Sequence, residues 1–373
     1  MKRFCCVLVT LSLIFFSVPR ASALSVSAKS AVLINGTTGE VLWSKNSEQK
    51  LPMASTTKIM TALLLCESGS LERRLVTTKE MVTVEGSSMG LLAGDTVSYR
   101  DLLYGMMLAS GNDAANTTAI AVSGSVSDFV ELMNKKASQI GLKNTSFKTP
   151  SGLDADGHYS TAEDMARLAR YAMKNTEFKT AASSQYAKLC YGNPPYDRTL
   201  KNHNKLLFQY DGAIGVKTGF TKKSGRCLVS SAQRGDKYLI AVTLSAPDDW
   251  ADHTAMLDYG FSRLVEKAAK DVQIPPLSVV GGTRELIDVS TPNQTFALTE
   301  DEWNRLRCRI YIPRFVYSGV TVGDVVGRVE YTIGDEVIEK ADITALHSSS
   351  AIKENNVLKI LMQYYRMLLK AMV

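Results

Sequence analysis

Three short polar groups stand in order along the chain: Ser55-Thr56-Thr57-Lys58, Ser110-Gly111-Asn112 and Lys217-Thr218-Gly219. They supply a hydroxyl nucleophile, an amine three residues on, a hydroxyl–amide pair and a cation beside a second hydroxyl. A serine hydroxyl attacks poorly until a base removes its proton. Free lysine, with a pKa of ~10.4, is protonated at neutral pH and becomes such a base only when that value is depressed. Burial of Lys58 at a helix start and the second cation at Lys217 both act in that direction. Lys217 and Thr218 suit a terminal carboxylate through charge-assisted hydrogen bonds, and Gly219 permits close backbone approach. The chemistry indicated is acyl transfer on Ser55.

None of these groups is specific alone. Ser-x-x-Lys begins at Ser47, Ser55 and Ser350, and Lys-[Ser/Thr]-Gly at Lys217 and Lys223. Context separates them. Only Ser55 opens an apolar helical run, with Ile59, Met60, Leu63 and Leu64 behind it. Residues three apart share a helix face, so Ser55 and Lys58 can touch. Lys217 follows Ala213-Ile214-Gly215-Val216, a buried-strand pattern, whereas Lys223 lies in a polar turn.

The elements that must position these groups alternate in type. A strand–turn–strand covers Ala31–Asn35 and Glu40–Trp43, and the Ser55 helix follows. Met81–Val84 has a β-like pattern. Helices are expected over Arg100–Leu108, Asp113–Val122 and Val126–Ile140. Another, capped by Ser160 with Glu163, should run through Met173. Strands are expected over Ala213–Gly219, Cys227–Gln233 and Tyr238–Leu244, then a helix over Asp252–Ala269. The pattern predicts a mixed α/β domain with one antiparallel sheet flanked by helices. After Pro275-Pro276, short β-rich runs predict a small all-β domain.

The chain ends carry other signals. Lys2 and Arg3, the apolar run Phe4–Val18 and Ala21-Ser22-Ala23 form a secretory signal pattern, with the mature chain starting at Leu24. The formal charge of +6 falls to +3 once Lys2, Arg3 and Arg20 leave, too mild for nucleic-acid binding. Cys66, Cys190, Cys227 and Cys308 remain, without zinc-site spacing. Beyond a serine linker, Lys359, Gln363, Arg366 and Lys370 make a narrow polar stripe on an otherwise apolar tail, the pattern of a helix lying in a membrane interface, the alternative being a helix docked onto its own protein.

As a set, the three motifs resemble those of the D-alanyl-D-alanine carboxypeptidases, the low-molecular-mass penicillin-binding proteins. Ser110-Gly111-Asn112-Asp113-Ala114-Ala115-Asn116, the stretch Pro150–Ser160 and Asn202-His203-Asn204 extend the likeness over most of 31–261. The resemblance implies that Ser110 relays a proton to the leaving amine. It implies that Asn112 contacts the base lysine and the substrate amide, and that the N–H groups of Ser55 and Phe220 form the oxyanion hole. It also implies a peptidoglycan stem peptide ending in D-Ala-D-Ala as substrate, β-lactams as covalent inhibitors, no cofactor or metal, export to the outer face of the cytoplasmic membrane, and a C-terminal β-sandwich.

The resulting partition is a signal peptide over 1–23, a catalytic domain over 24–272, a β domain over 273–347 and a linker with tail helix over 348–373. One departure stands out. Several relatives place a carboxylate-gripping arginine on the strand after the third motif, where this chain reads Ala246-Pro247-Asp248-Asp249-Trp250.

Other classes fit less well. A class A β-lactamase needs a deacylating glutamate, and the nearest stretch, Glu131-Leu132-Met133-Asn134, falls inside a periodic helix. Gly86-Ser87-Ser88-Met89-Gly90 matches a hydrolase elbow, but a loop follows it where a helix is required. Asp154, Asp156 and His158 match no calcium loop. A non-catalytic wall-binding protein has no need of Ser55, Lys58 and Lys217 together.

Overall fold

The computed structural model describes residues 24–352, 361, 362 and 364–366. The signal-peptide expectation for 1–23 lies outside them, as does most of the tail. Leu361, Met362 and Tyr364–Arg366 are helical and exposed, and the Tyr364 ring stands 6.2 Å from that of Phe315.

The chain opens with the hairpin β1 (Ser30–Asn35) and β2 (Val41–Lys45), in register at Leu33↔Trp43. A 3-10 turn, Ala54–Thr57, leads directly into α1 (Lys58–Glu67), whose residues from Lys58 to Leu65 are all buried. A helix so apolar on every side must run through the core. Next come β3 (Arg74–Val76) and α2 (Lys79–Val82). The latter corrects the β-like expectation for Met81–Val84. Thr78 caps the turn by accepting from the Met81 N–H, and a satisfied cap outweighs a weak β propensity. Strand β4 (Thr96–Ser98) runs into α3 (Tyr99–Leu108) through a Ser98/Asp101 capping box.

Helices α4 (Asn112–Ser123), α5 (Val126–Gln139), α6 (Ala162–Ala172) and α7 (Thr176–Ser183) follow. The cap of α6 is Thr161, which accepts from the Asp164 N–H, one residue later than expected. Ser160 is drawn instead into a backbone bridge with Leu51.

A hairpin that the sequence reading did not foresee, β5 (Tyr186–Gly192) and β6 (Pro195–Lys201), precedes the short α8 (Leu206–Gln209). Strands β7 (Ala213–Thr221), β8 (Gly225–Arg234) and β9 (Lys237–Leu244) and helix α9 (Asp249–Arg263) complete this first part of the chain.

The main sheet has the order β2-β1-β9-β8-β7, with antiparallel neighbours throughout, so the two chain ends of this unit meet as expected and β7 is an edge. Alternation along each strand assigns its faces. Val32, Ile34, Val229 and Val242 pack against α1 and the helices around it, while Ala31, Leu33, Leu239 and Ala241 pack against Met256, Leu257 and Phe261 of α9. Each fully buried Leu, Ile or Val contributes about 1.5–3 kcal/mol, so this three-layer core holds β7 firmly against α1.

Helix α9 ends at Arg263, not Ala269, because Val265–Ala268 is drawn out as β10 to pair with β14 (Thr295–Leu298). Between them lie β11 (Leu277–Val280), β12 (Leu286–Ile287) and β13 (Val289–Ser290). Beyond them come α10 (Glu300–Arg305), β15 (Leu306–Tyr311), β16 (Phe315–Tyr317), β17 (Val325–Ile333) and β18 (Glu336–Ala345). The expected all-β character holds for this region except at α10.

That helix ties the two parts together. Glu302 is fully buried. It accepts from the Asn35 side-chain amide at 3.1 Å and the Thr299 N–H at 2.8 Å, and it also meets the Thr38 hydroxyl.

Candidate active site

The nucleophile turn is built under strain. Ala54, just before Ser55, has φ 47°, a left-handed conformation uncommon for a residue with a Cβ. Thr56 and Thr57 hold the turn by donating to the carbonyls of Met53 (2.6 Å) and Ala54 (2.8 Å). Gly152 lies against it so closely that a Cβ there would sit 1.9 Å from the Ala54 carbonyl oxygen. His158 braces the far side: its Nε2 lies 2.9 Å from the Thr57 hydroxyl, and its Nδ1 accepts from the Lys148 N–H. Burial lowers this imidazole to about 4, so it is neutral at ordinary pH.

Lys58 has no exposed surface. Its Nζ lies 2.9 Å from Ser55 Oγ, 2.7 Å from Asn112 Oδ1 and 2.8 Å from the Ser151 carbonyl oxygen. A neutral amine has two hydrogens and one lone pair. Asn112 and Ser151 offer only acceptors, so they take both hydrogens and leave the lone pair facing the serine hydroxyl. Desolvation, and then the charge of Lys217, hold the Lys58 pKa well below its ordinary value.

Lys217 is also buried. It donates to Ser110 Oγ at 3.0 Å and to the Thr218 carbonyl at 2.9 Å. Burial lowers its pKa to about 7. Ser110 sits between α3 and α4 with φ 58°, which turns its hydroxyl toward Lys217. Asn112 begins α4 and donates to the Glu85 carbonyl at 2.6 Å. The structure thus gathers a network of two hydrogen-bonded groups, Ser55–Lys58–Asn112 and Ser110–Lys217, with Thr218, Gly219 and Phe220 beside them on β7. The sequence reading assigned Gly219 to substrate approach. The crowding it relieves is with the nucleophile turn, since a Cβ there would lie 3.0 Å from the Ser55 and Thr56 nitrogens.

A cleft of about 350 Å³ opens over the network, lined in part by Ser55, Ser110, Thr218, Gly219 and Phe220. Sequence reasoning missed several of its other walls. Ser87 enters from the loop that the elbow-like motif marked. Asp113 pins that loop by accepting from the Met89, Gly90 and Leu91 N–H groups and the Ser88 hydroxyl. Arg198, on the β5–β6 hairpin, braces the same loop by donating to the Gly90 carbonyl at 2.9 Å. His203 and Lys205 line another wall, and Arg226, Asp249 and Trp250 close one end. Signals existed for Ser87 in the elbow-like motif, for His203 in the Asn202-His203-Asn204 stretch and for Asp249 and Trp250 in the Ala246–Trp250 stretch, but none of these was assigned to the cleft. Among the described residues, no cluster of three His, Cys, Asp or Glu side chains is placed to hold a metal.

An antiparallel sheet with an open edge strand, a serine in the 3-10 turn that enters a central helix with a buried lysine at its start, and a second buried lysine on the edge strand make up the arrangement of a serine peptidase of the penicillin-recognising fold. The chain belongs to the peptidase S11 family, described as D-alanyl-D-alanine carboxypeptidase, whose model matches residues 17–248. It is therefore a serine-type D-alanyl-D-alanine carboxypeptidase, a hydrolase of the penicillin-binding class.

The chain is 35% identical to D-alanyl-D-alanine carboxypeptidase DacF of Bacillus subtilis over 87% of each chain. It is 37% identical to a D-alanyl-D-alanine carboxypeptidase of Streptomyces sp. strain K15 over 64% of this chain and 88% of that one. Among solved structures, penicillin binding protein 5 from Haemophilus influenzae superposes with a TM-score of 0.64 at 26% identity, covering 87% of this chain and 98% of that one.

Proposed function

We propose that Ser55 is the acylated nucleophile and Lys58 its general base, acting on peptidoglycan stem peptides that end in D-Ala-D-Ala. The lone-pair geometry at Lys58 carries this reading. Ser55 Oγ attacks the carbonyl of the penultimate residue while Lys58 takes its proton. Negative charge grows on the carbonyl oxygen, between the N–H groups of Ser55 and Phe220. Ser110, linked to Lys217, passes a proton to the leaving D-alanine amine, and Asn112 orients both Lys58 and the substrate amide. Lys217 and Thr218 hold the terminal carboxylate. Ser110 regains its proton from Lys58; water then attacks the ester while the freed Lys58 amine takes the water's proton and returns it to Ser55 as the ester bond breaks. A β-lactam enters by the same attack and stays attached to Ser55.

The wider assignment is that the enzyme is exported, that residues 24–272 form the catalytic domain and 273–347 a β domain, and that the tail lies against the membrane surface. The exposed Leu361, Met362 and Tyr365 support the tail assignment. Among the described residues, no helix is long and apolar enough to cross a membrane.

Mass spectrometry after exposure to a penicillin should show an adduct on Ser55, and a D-Ala-D-Ala peptide should release D-alanine. Retention of both activities by Ser55→Ala would overturn the assignment.

A further inference from the structure

The sheet of β12, β11 and β16 carries apolar side chains on both faces, and only one face is covered. On the inner face Leu277, Val279 and Ile287 are buried with Ala345, and Val316 packs against them. The register sets Leu286, Ser278 and Phe315 in one row and Val280 beside Tyr317, so alternation sends these residues to the outer face. There the Phe315 and Tyr317 rings stand 5.5 Å apart, edge to face, yet Tyr317 is 66% exposed and Leu286 57%. A sheet with one face on the core ordinarily turns polar residues to water on the other. A grouped set of exposed apolar side chains marks a contact surface.

Two observations say what meets it. The chain leaves the β-rich part beside this same sheet. The Ile352 N–H donates to the Gly281 carbonyl at 3.0 Å, and the Thr283 N–H to the Ser350 carbonyl at 2.8 Å, both at the turn that joins β11 to β12. Further on, the Tyr364 ring comes to 6.2 Å from Phe315 while Leu361, Met362 and Tyr365 stay exposed. The tail thus adjoins the sheet without covering it, and the two add their open apolar side chains to one surface. Cations accompany it. Arg284 and Arg314 are exposed next to β12 and β16, and beyond Ile352 the sequence holds Lys353, Lys359, Arg366 and Lys370 against Glu354 alone. Tyrosines, aliphatic side chains and surrounding cations together suit the interface of an anionic bilayer. A second copy of the chain would set these like charges face to face.

We propose that Leu286, Phe315 and Tyr317, on the outer face of this sheet, form a second membrane-contacting surface, so that the β-rich part itself lies against anionic lipid. The proposal rests on the reading of the tail as membrane-associated and adds a contact made by the folded part. Attachment through both fixes the orientation of the molecule on the bilayer, which a tail alone leaves free.

Co-sedimentation of the full chain with vesicles of phosphatidylglycerol and phosphatidylethanolamine tests it. The partition coefficient of Leu286→Ser/Tyr317→Ser should fall about 10- to 100-fold, as expected when two apolar anchors are lost from an interface. Penicillin labelling should stay unchanged, since both positions are exposed and outside the cleft. Arg314→Gln should weaken binding at low salt and have little effect at high salt. An unchanged partition coefficient in the double variant overturns the proposal. So does a concentration-dependent dimer of the unsubstituted chain that the double variant abolishes, since a second copy would then occupy the face. Failure of the tail reading shows separately, as vesicle binding that survives Leu361→Ser/Tyr365→Ser.

Discussion

At the scale of the residue, two buried lysines do opposite work. In the proposed reaction Lys58 must be neutral to accept a proton, and Lys217 must be charged to hold an anion. Their environments divide these tasks: desolvation lowers both, but only Lys58 is also depressed by a neighbouring cation. The pH profile of kcat/KM should therefore be bell-shaped. Its acid limb follows protonation of Lys58. Its alkaline limb follows loss of the Lys217 proton near its value of about 7 in the free enzyme. Carboxylate binding favours protonated Lys217, so the alkaline limb of kcat should lie at higher pH than that of kcat/KM. A single-limbed profile would contradict the division. Lys58→Ala should slow acylation by a fluorescent penicillin by roughly 10²- to 10⁴-fold, the range for a lost general base.

At the scale of the element, a left-handed Ala54 and a glycine beneath it shape the nucleophile turn. Gly152 itself has φ +87°, so a side chain there meets both backbone strain and the Ala54 carbonyl. Gly152→Ala should destabilise the fold by about 2 kcal/mol or more and cut Ser55 acylation, as measured by denaturant unfolding and penicillin labelling.

The three motifs were legible before the fold because each sits where a local signal changes: Ser55 at the head of an apolar run, Ser110-Gly111-Asn112 between two helices, Lys217 on a buried strand. The hairpin at 186–201 was not, because exposed Tyr186 and Tyr196 among its outward lysines and Asp197 blur the alternation that marks a strand, and its role is to brace a loop distant in sequence. Arg226 was invisible for a related reason. Nothing near it in the chain marks a ligand site; only the pairing of β8 with β7 and the approach of α9 bring it to the cleft. The premature end of α9 has the same origin, a strand partner supplied from residues 295–298.

At the scale of the molecule, acid should loosen the structure through its buried histidines. His253 lies fully buried between Ser230 and Thr243 and is lowered to about 3, and His158 to about 4. Both bind protons less readily folded than unfolded, where His has a value of ~6.5. Their contribution is thus intact above pH ~6.5 and erodes as pH falls from there toward 4 and 3. Chemical denaturation at a series of pH values should show this decline, with a shallower slope in His253→Gln.

Glu302→Ala would leave the Asn35 amide, the Thr38 hydroxyl and the Thr299 N–H without their buried acceptor. It should cost about 1–3 kcal/mol in denaturant melts while leaving peptide turnover intact.

That carboxylate has an architectural consequence. It grasps β1, which is separated from the reactive edge β7 by β9 and β8. The trailing lobe is therefore mounted on the frame and not on the machinery. Lobes from other proteins should be interchangeable at this mount, provided the graft brings its own acid to meet Asn35 and Thr38, and the chimera should keep its chemistry.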